Sequence, residues 1–354
     1  MTKAMKRVLY LSNIEVPYRA RFFNELAKAC DLTVVYERRS SANRDSKWNE
    51  QNEQPNYPIE YLDGFDIGNE FGFSWKIVPV ISRGWDVVVV GCYNSPIQMV
   101  AMRHMNLAGI RYIVNLDGEP FVGSGLKGMV KRLILMGAAG YLVAGEQAAV
   151  SLRKAIGTRR PIIPYYFSSL SRAEIESTPA PDRGDYALVV GQYFDYKGMD
   201  VAMEAARRSP AIRYKFVGMG KRTEKFVRDM SPLPSNVEVI PFLQKEKLME
   251  EYGRCGVVVL PSRQECWGLV VNEAAAVGAP IVSTWGSGAA VEFLKGAFEE
   301  FLAEPGNPES LLTAIELCLR HDARPYSSYL ISKSFRYSIE RSAEVHLKAI
   351  ESIC

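Results

Sequence analysis

An α/β fold built as two Rossmann-like domains is predicted for this chain by three observations. Strand-like apolar runs alternate with helical patterns from end to end, the order that builds a parallel sheet covered by helices. The series occurs twice, and the stretch 177–184 between the two halves has the Pro, Ser and Gly composition of a linker. At 354 residues with 47% hydrophobic side chains, the chain can fill two cores of ordinary size.

In the first half, residues 7–12, 32–37, 86–91, 111–115 and 141–144 read as strands, and 19–29 as an amphipathic helix after the first of them. In the second half, the strands are 186–190, 213–217, 237–240, 257–260 and 280–283. The last helix, 338–352, is amphipathic. These elements divide the chain into an N-terminal domain 1–175, a linker 176–184, a C-terminal domain 185–325 and closing helices 326–354.

The segment with most chemical content runs from Val257 to Ser283. Four apolar residues form a buried strand, Pro261-Ser262 breaks it, and 267–277 reads as a helix closed by Gly278 and followed by Pro280. A helix N-terminus near Gly268 and Leu269 therefore points at a strand end, and its free N–H groups and macrodipole suit a phosphate. Glu265 and Glu273 stand eight residues apart across this turn, roughly 12 Å along a helix, comparable to a nucleoside diphosphate-sugar. Spacing alone is weak, since Glu292 and Glu300 repeat it in ordinary surface sequence; the flanking pattern carries the signal.

A second constellation opens the C-terminal domain. Gly191, Gln192 and, further on, Lys197-Gly198 follow the strand 186–190, a glycine turn with one cation aimed at the same crevice as Glu265. Gly218-Met219-Gly220-Lys221 follows the strand 213–217, but a dinucleotide fingerprint would need glycine at position 223, where Thr223 stands. Pro241-Phe242-Leu243 is a turn after the next strand.

The segment 257–283 resembles the E-x7-E region of glycosyltransferase family 4, whose members are retaining enzymes of GT-B architecture, two Rossmann-like domains facing each other across a cleft. The resemblance implies that Glu265 positions the donor sugar, that Glu273 binds ribose hydroxyls, and that the amides of Gly268 and Leu269 meet the diphosphate. The opening of the C-terminal domain resembles the family's Gly-Arg…Lys-Gly signature, which assigns Gly191 and Lys197 to the donor diphosphate. Gln192 stands where the family has Arg, which removes one fork-shaped cation, and a cation from elsewhere is one way to replace it. By the same resemblance Gly218 and Phe242 lie along the nucleotide, and the last helix crosses back onto the N-terminal domain.

The N-terminal motifs are where the acceptor is expected. Pro17-Tyr18-Arg19 with Phe22-Phe23 resembles a variant found in bacterial surface-polysaccharide transferases, so Tyr18, Arg19 and Arg21 are either acceptor or phosphate contacts or plain helix-start residues. Asn94 lies in a polar loop after the strand 86–91, and Asp117 and Glu119 in one after 111–115; either carboxylate is a candidate general base. Neither loop contains a histidine. The segment 124–134 mixes Lys127, Lys131 and Arg132 with apolar residues, either a helix with snorkelling cations on its own sheet or a peripheral contact with lipid headgroups.

Composition excludes other classes. Residues 1–170 hold 21 Lys+Arg against 15 Asp+Glu, or +6, and the remainder 22 against 25, or −3; this is too mild for nucleic acid and no recognition motif accompanies it. Six cysteines without a C-x-x-C and three separated histidines argue for reduced thiols and against a structural zinc. No apolar run approaches a membrane span, and the Lys3, Lys6, Arg7 start leads into a strand, so a cytoplasmic protein is expected, with contact at the inner face of the cell membrane allowed by the 124–134 segment. The resulting expectation is a glycosyltransferase of the hexosyl type, free of metal and cofactor, moving a sugar from a UDP- or GDP-sugar to a glycan or lipid-linked hydroxyl in bacterial surface polysaccharide synthesis. A GT-B epimerase or hydrolase and a non-catalytic nucleotide-sugar binding protein are the alternatives, because fold does not dictate function.

Overall fold

The computed structural model describes residues 5–39, 54–68, 71–118, 125–176 and 183–353. It divides into two compact units, Met1–Ser169 with Ile339–Cys354, and Leu170–Ser338. The first unit begins with β1 (Arg7–Ile14), α1 (Pro17–Leu26), β2 (Asp31–Arg38), β3 (Ile59–Tyr61), β4 (Phe65–Gly68) and β5 (Phe71–Phe73). It continues through α2 (Ile77–Ile81), β6 (Val87–Val90), α3 (Pro96–Ala108), β7 (Tyr112–Leu116), α4 (Gly125–Leu135), β8 (Gly140–Ala144), α5 (Glu146–Ile156) and β9 (Ile162–Tyr165). Its seven strands run parallel in the order β3-β2-β1-β6-β7-β8-β9, with β4 and β5 as a separate antiparallel pair.

Local chemistry accounts for these elements. All four valines of β6 are wholly buried, the signature of a central parallel strand covered on both faces by helices. Helix α3 starts with Pro96 at its first turn and stops at Gly109, whose φ of 66° lies in the left-handed region. Strand β9 escapes sequence patterning because it contains Pro164, which an edge strand tolerates and a central one does not.

The second unit contains α6 (Arg172–Glu176), β10 (Tyr186–Val190), α7 (Met199–Arg208), β11 (Arg213–Val217), α8 (Thr223–Met230), β12 (Val237–Ile240) and α9 (Lys245–Arg254). Then come β13 (Val257–Leu260), α10 (Leu269–Ala276), β14 (Ile281–Thr284), α11 (Gly288–Leu294), β15 (Leu302–Ala303), α12 (Pro308–Arg320) and α13 (Ala323–Ser334). Six parallel strands follow the order β12-β11-β10-β13-β14-β15.

The division between units differs from the sequence boundaries at 175 and 326. α6 joins the second unit because Leu170 and Ile175 pack with Ala276. α13 stays there because it packs on α10 and Ser327 donates to the Gly278 carbonyl at 2.6 Å. Within the stretch expected as linker, residues 177–182 lie outside the described residues. Arg183 and Gly184 belong to the second unit, bonded to the carbonyls of Val277 and Arg254.

The last helix, α14 (Ile339–Ile353), belongs to the first unit, packed on α1, β8 and β9. Its fastening is polar as well as apolar: His346, fully buried, sets Nε2 2.6 Å from Asn115 Oδ1 on β7 and Nδ1 2.8 Å from the Ser342 carbonyl. Burial holds the His346 pKa down at about 4; the Ser342 bond and Asp117 oppose this, and Arg19 reinforces it. An unfolded histidine takes up its proton near pH 6.5. Between these values the unfolded chain binds more protons than the folded one, so stability falls as pH drops. Urea unfolding at pH 7 and pH 5 should show His346 contributing up to about 1.4 kcal/mol of lost stability per pH unit, an increment absent from His346→Gln. Equal pH slopes for the two proteins would contradict the buried neutral ring.

Candidate active site

In each large sheet the strand order reverses beside the unit's first strand, between β1 and β6 and between β10 and β13. Ligands of open α/β sheets bind beyond the carboxyl ends of the strands at such a point. In the second unit the loops leaving β10 and β13 meet there. After Gly191 the chain makes a 3-10 turn, Asp195–Lys197, that ends at Gly198 with φ of 66°. A Cβ on Gly198 would lie 2.0 Å from the Pro261 carbonyl oxygen, so only glycine fits. Arg263 and Gln264 then donate backbone N–H groups to the Tyr196 carbonyl at 2.8 and 3.2 Å.

This contact brings together the two acidic and basic residues singled out in sequence. Lys197 Nζ forms an ion pair with Glu265 Oε2, the side chains being 20% and 15% exposed. Glu265 is fixed through its backbone, its N–H donating to the Gly286 carbonyl at 2.8 Å and its carbonyl accepting from Gly288 at 3.2 Å. A clamp that sequence reading missed lies beside it: Arg263 grips both carboxylate oxygens of Asp200 at 2.8 and 2.6 Å and the Asp195 carbonyl at 2.7 Å. Burial works against the Asp200 charge, yet the Arg263 bonds prevail and its pKa is lowered. The signal was available in the position of Arg263 two residues before Glu265 and of Asp200 three after Lys197.

Helix α10 starts at Leu269, two residues later than its sequence pattern predicts. Gly268 has φ of 102°, incompatible with the helix, and Trp267 is tied down instead, 3% exposed with its indole N–H donating to Asn272 at 2.8 Å. Glu273, half-buried on α10, accepts from the Tyr252 hydroxyl at 3.2 Å. Two glycine turns lie beside this site: Gly218, with φ of 99°, adopts a backbone conformation that favours glycine and lies in ordinary contact with the Gly191 backbone. Gly220 donates to the Pro241 carbonyl at 2.8 Å, which sets the Phe242 turn beside it. Gln192 receives the Phe194 N–H on its carbonyl at 3.0 Å. The Arg222 guanidinium lies 4.0 Å over the Phe194 ring and makes no ion pair among the described residues.

Residues 171–334, nearly the whole second unit, match the family model described as glycosyl transferases group 1. HepE of Anabaena, solved with UDP and glucose, superposes with a TM-score of 0.73 over 98% of this chain and 100% of that one, at 16% identity. Sucrose-phosphate synthase from Thermosynechococcus elongatus gives 0.67 over 98% and 99%, also at 16%. The fold is that of the GT-B glycosyltransferases. Among curated proteins, an uncharacterized glycosyltransferase of Methanocaldococcus jannaschii is 29% identical over 135 residues, 37% of each chain. A D-inositol 3-phosphate glycosyltransferase of Mycobacteroides abscessus is 31% identical over 110 residues, 28% of this chain and 25% of that protein. These alignments span well under half the length of either relative.

In the first GT-B unit, Arg19 and Asp117 come together, although 98 positions apart. Arg19, in the first turn of α1 with a side chain 7% exposed, pairs with Asp117 Oδ2 and donates to Tyr10 Oη at 3.0 Å. Asp117 Oδ1 accepts from Tyr165 at 2.7 Å and from Asn115 at 3.0 Å. Both carboxylate oxygens are therefore engaged, Oδ1 by two donors and Oδ2 by Arg19, which leaves acceptor capacity on Oδ2. Sequence reading found no histidine here, but α14 brings His346 against Asn115, and a void of about 10 Å³, room for about one water, lies among Arg19, Tyr165 and His346. Tyr18 packs edge-on against Phe167, and Asn94 accepts from Lys131 at 2.8 Å. Glu119 lies outside the described residues. A buried acid not singled out in sequence, Glu37, accepts from Gln98 at 2.8 Å; burial raises its pKa against the pull of Ser95 and Gln98.

Gly198→Ala should be the most damaging single-methyl change in the second unit. A left-handed φ and a 2.0 Å approach to a backbone carbonyl leave no relaxed arrangement, and a loss of about 2–3 kcal/mol is expected from denaturant unfolding. Gly296→Ala, at φ of 80° with open space around the Cβ, should cost only about 1 kcal/mol. Equal losses would mean that the contact with Pro261 is not tight.

Proposed function

We propose that the chain is a retaining glycosyltransferase that takes a UDP- or GDP-sugar as donor and transfers the sugar to a hydroxyl of a glycan or lipid-linked acceptor, in the synthesis of a bacterial surface polysaccharide. The observation that carries this reading is the Lys197–Glu265 pair at the β10/β13 reversal, beside the N-terminus of α10. The UDP-bound structures of HepE point the same way, as does its preparation with UDP-glucose.

On this reading the diphosphate lies against the amides of Gly268 and Leu269 and draws Lys197 away from Glu265, since a doubly charged leaving group outcompetes one carboxylate for the same cation. Glu265, released, meets the hydroxyls of the donor sugar. Glu273, oriented by Tyr252, takes the ribose, and Gly191, Gly218 and Phe242 line the nucleotide. Arg222 takes the place of the cation that Gln192 does not supply. Charge on the leaving group is neutralised by protein groups, so no metal is needed. On the acceptor side, Arg19 held by Asp117, with Tyr18 and Asn94, orients an incoming hydroxyl or anionic group, and Asp117 or Glu119 accepts its proton. Such a protein works in the cytoplasm, where nucleotide-sugars are made.

Thermal-shift screening against UDP-, GDP- and other nucleotide-sugars tests the donor: saturation at 100 times the dissociation constant should stabilise by about 2.7 kcal/mol. The anomeric configuration of the product by NMR tests retention, and undiminished turnover in EDTA tests metal independence. Donor consumption that ignores acceptor glycans would instead identify an epimerase or hydrolase.

Lys197→Ala should slow transfer by about ten- to several hundred-fold. Glu265→Gln should slow transfer yet tighten nucleoside diphosphate binding, because Lys197 then has no competing carboxylate. Glu273→Gln should weaken nucleotide and nucleotide-sugar alike. Calorimetry showing weaker diphosphate binding by Glu265→Gln would refute the exchange of partners by Lys197.

Arg222→Ala should weaken nucleoside diphosphate binding about tenfold, the scale of one charge-assisted contact, and adding Gln192→Arg should recover most of the loss. If Arg222→Ala leaves binding unchanged, the missing cation is supplied by another group.

A further inference from the structure

Helix α4 shows large apolar side chains to solvent on the face opposite its own core contact. Leu135, 1% exposed, and Ile134 pack into the core of the first unit. On the other side of the helix, Leu126, Met129, Val130 and Leu133 are 72, 53, 43 and 62% exposed, and Met136 follows at 47%. A helix lying on a sheet normally turns charged and polar residues outward there. At about 100° per residue, positions 126, 129, 130 and 133 form one continuous stripe, and position 132, an arginine, falls roughly 110° to one side of it.

The surrounding charge is mostly positive. From residue 125 to 170 the sequence carries seven Lys and Arg against one acid, Glu146. Arg132, Arg153, Lys154, Arg159 and Arg160 are exposed and form no ion pair among the described residues. Helix α5, which packs against α4, adds Val150 at 50% exposure. Beside it lies an open groove of about 400 Å³ lined by Ile162 and Pro164, by Arg153 and Lys154, and by one acid, Glu146. An apolar stripe flanked by cations is the pattern of a helix lying in a lipid interface, with aliphatic groups at the acyl boundary and cations reaching the phosphates. A second copy meeting this face about a two-fold axis would set the same positive surface against itself. No described helix is long and apolar enough to cross a membrane, so the contact is peripheral.

We propose that the α4–α5 face of the first unit docks on an anionic lipid bilayer, with Leu126, Met129, Val130 and Leu133 entering the interface and Arg132, Arg153 and Lys154 contacting lipid phosphates. The proposal stands whether or not the chain transfers sugars.

Co-sedimentation of the full chain with vesicles of phosphatidylcholine alone, and with about a third phosphatidylglycerol, tests it. Binding to the anionic vesicles is expected, weakened by salt, at least tenfold stronger than to the neutral ones. Each cation near the surface is worth about fivefold, so Arg132→Glu/Arg153→Glu should lower partitioning by about 25-fold or more. Leu126→Asp/Leu133→Asp should abolish it, with both variants retaining the parent's melting temperature because the changed positions are exposed. Absence of binding, equal binding to both vesicle types, or binding that survives both variants overturns the proposal. So does a dimer, seen by light scattering without lipid, that Leu126→Asp/Leu133→Asp dissolves, since a second copy would then cover the stripe.

Discussion

The Pro261 carbonyl lies so near Gly198 that a Cβ on that residue would come within 2.0 Å of it. This approach joins the loop leaving β10 to the loop leaving β13, and the arrangement of charged side chains there follows from it. It places Lys197 against Glu265. It also lets the Tyr196 carbonyl receive two N–H groups from 263 and 264, and brings Arg263 within reach of Asp200. A connecting loop is normally among the more mobile parts of a domain; here backbone-to-backbone bonds and a bidentate clamp hold it.

The first unit solves a different problem, a buried cation. Arg19 is nearly enclosed, and removing an arginine from water is costly unless its donors are met. Asp117 and Tyr10 each take one of them, and Asp117 is in turn held by Tyr165 and Asn115. Because Asn115 also faces His346, α14 is part of the same network that presents Arg19. The returning helix thus does more than cover apolar surface: it completes the polar shell of a residue from the opposite end of the chain.

The outer face of α4 stands apart from both. In the sheet of the first unit large aliphatic side chains go to the core, as the wholly buried strand β6 shows. On α4 they go to both sides, and the charge around them is almost entirely positive. Amphipathic packing on a sheet does not require that arrangement, whereas partition into a charged interface does.

Much of this was legible in the sequence because it rests on local patterns. Residues 186–190, 213–217, 237–240 and 257–260 were read as strands to the residue, since 186–190 and 257–260 are buried apolar runs and 213–217 and 237–240 are short β-branched or aromatic stretches, patterns that survive without tertiary context. The pairing of Glu265 with an N-terminal helix turn, and the place of Lys197 in a glycine loop, were likewise local. What escaped depended on distance or on exceptions to pattern. β9 hides behind Pro164 and β15 has only two residues. α10 begins late because Trp267 finds a buried partner in Asn272. Sequence by itself determined the alternation of strands and helices, the two-fold series and the residue types at the candidate donor site, all consequences of side-chain periodicity and turn chemistry. Only the tertiary structure decided that Arg263 grips Asp200, that Arg222 covers Phe194, and that His346 stands beside Asn115, because those contacts join residues far apart in the chain and are selected by packing and desolvation.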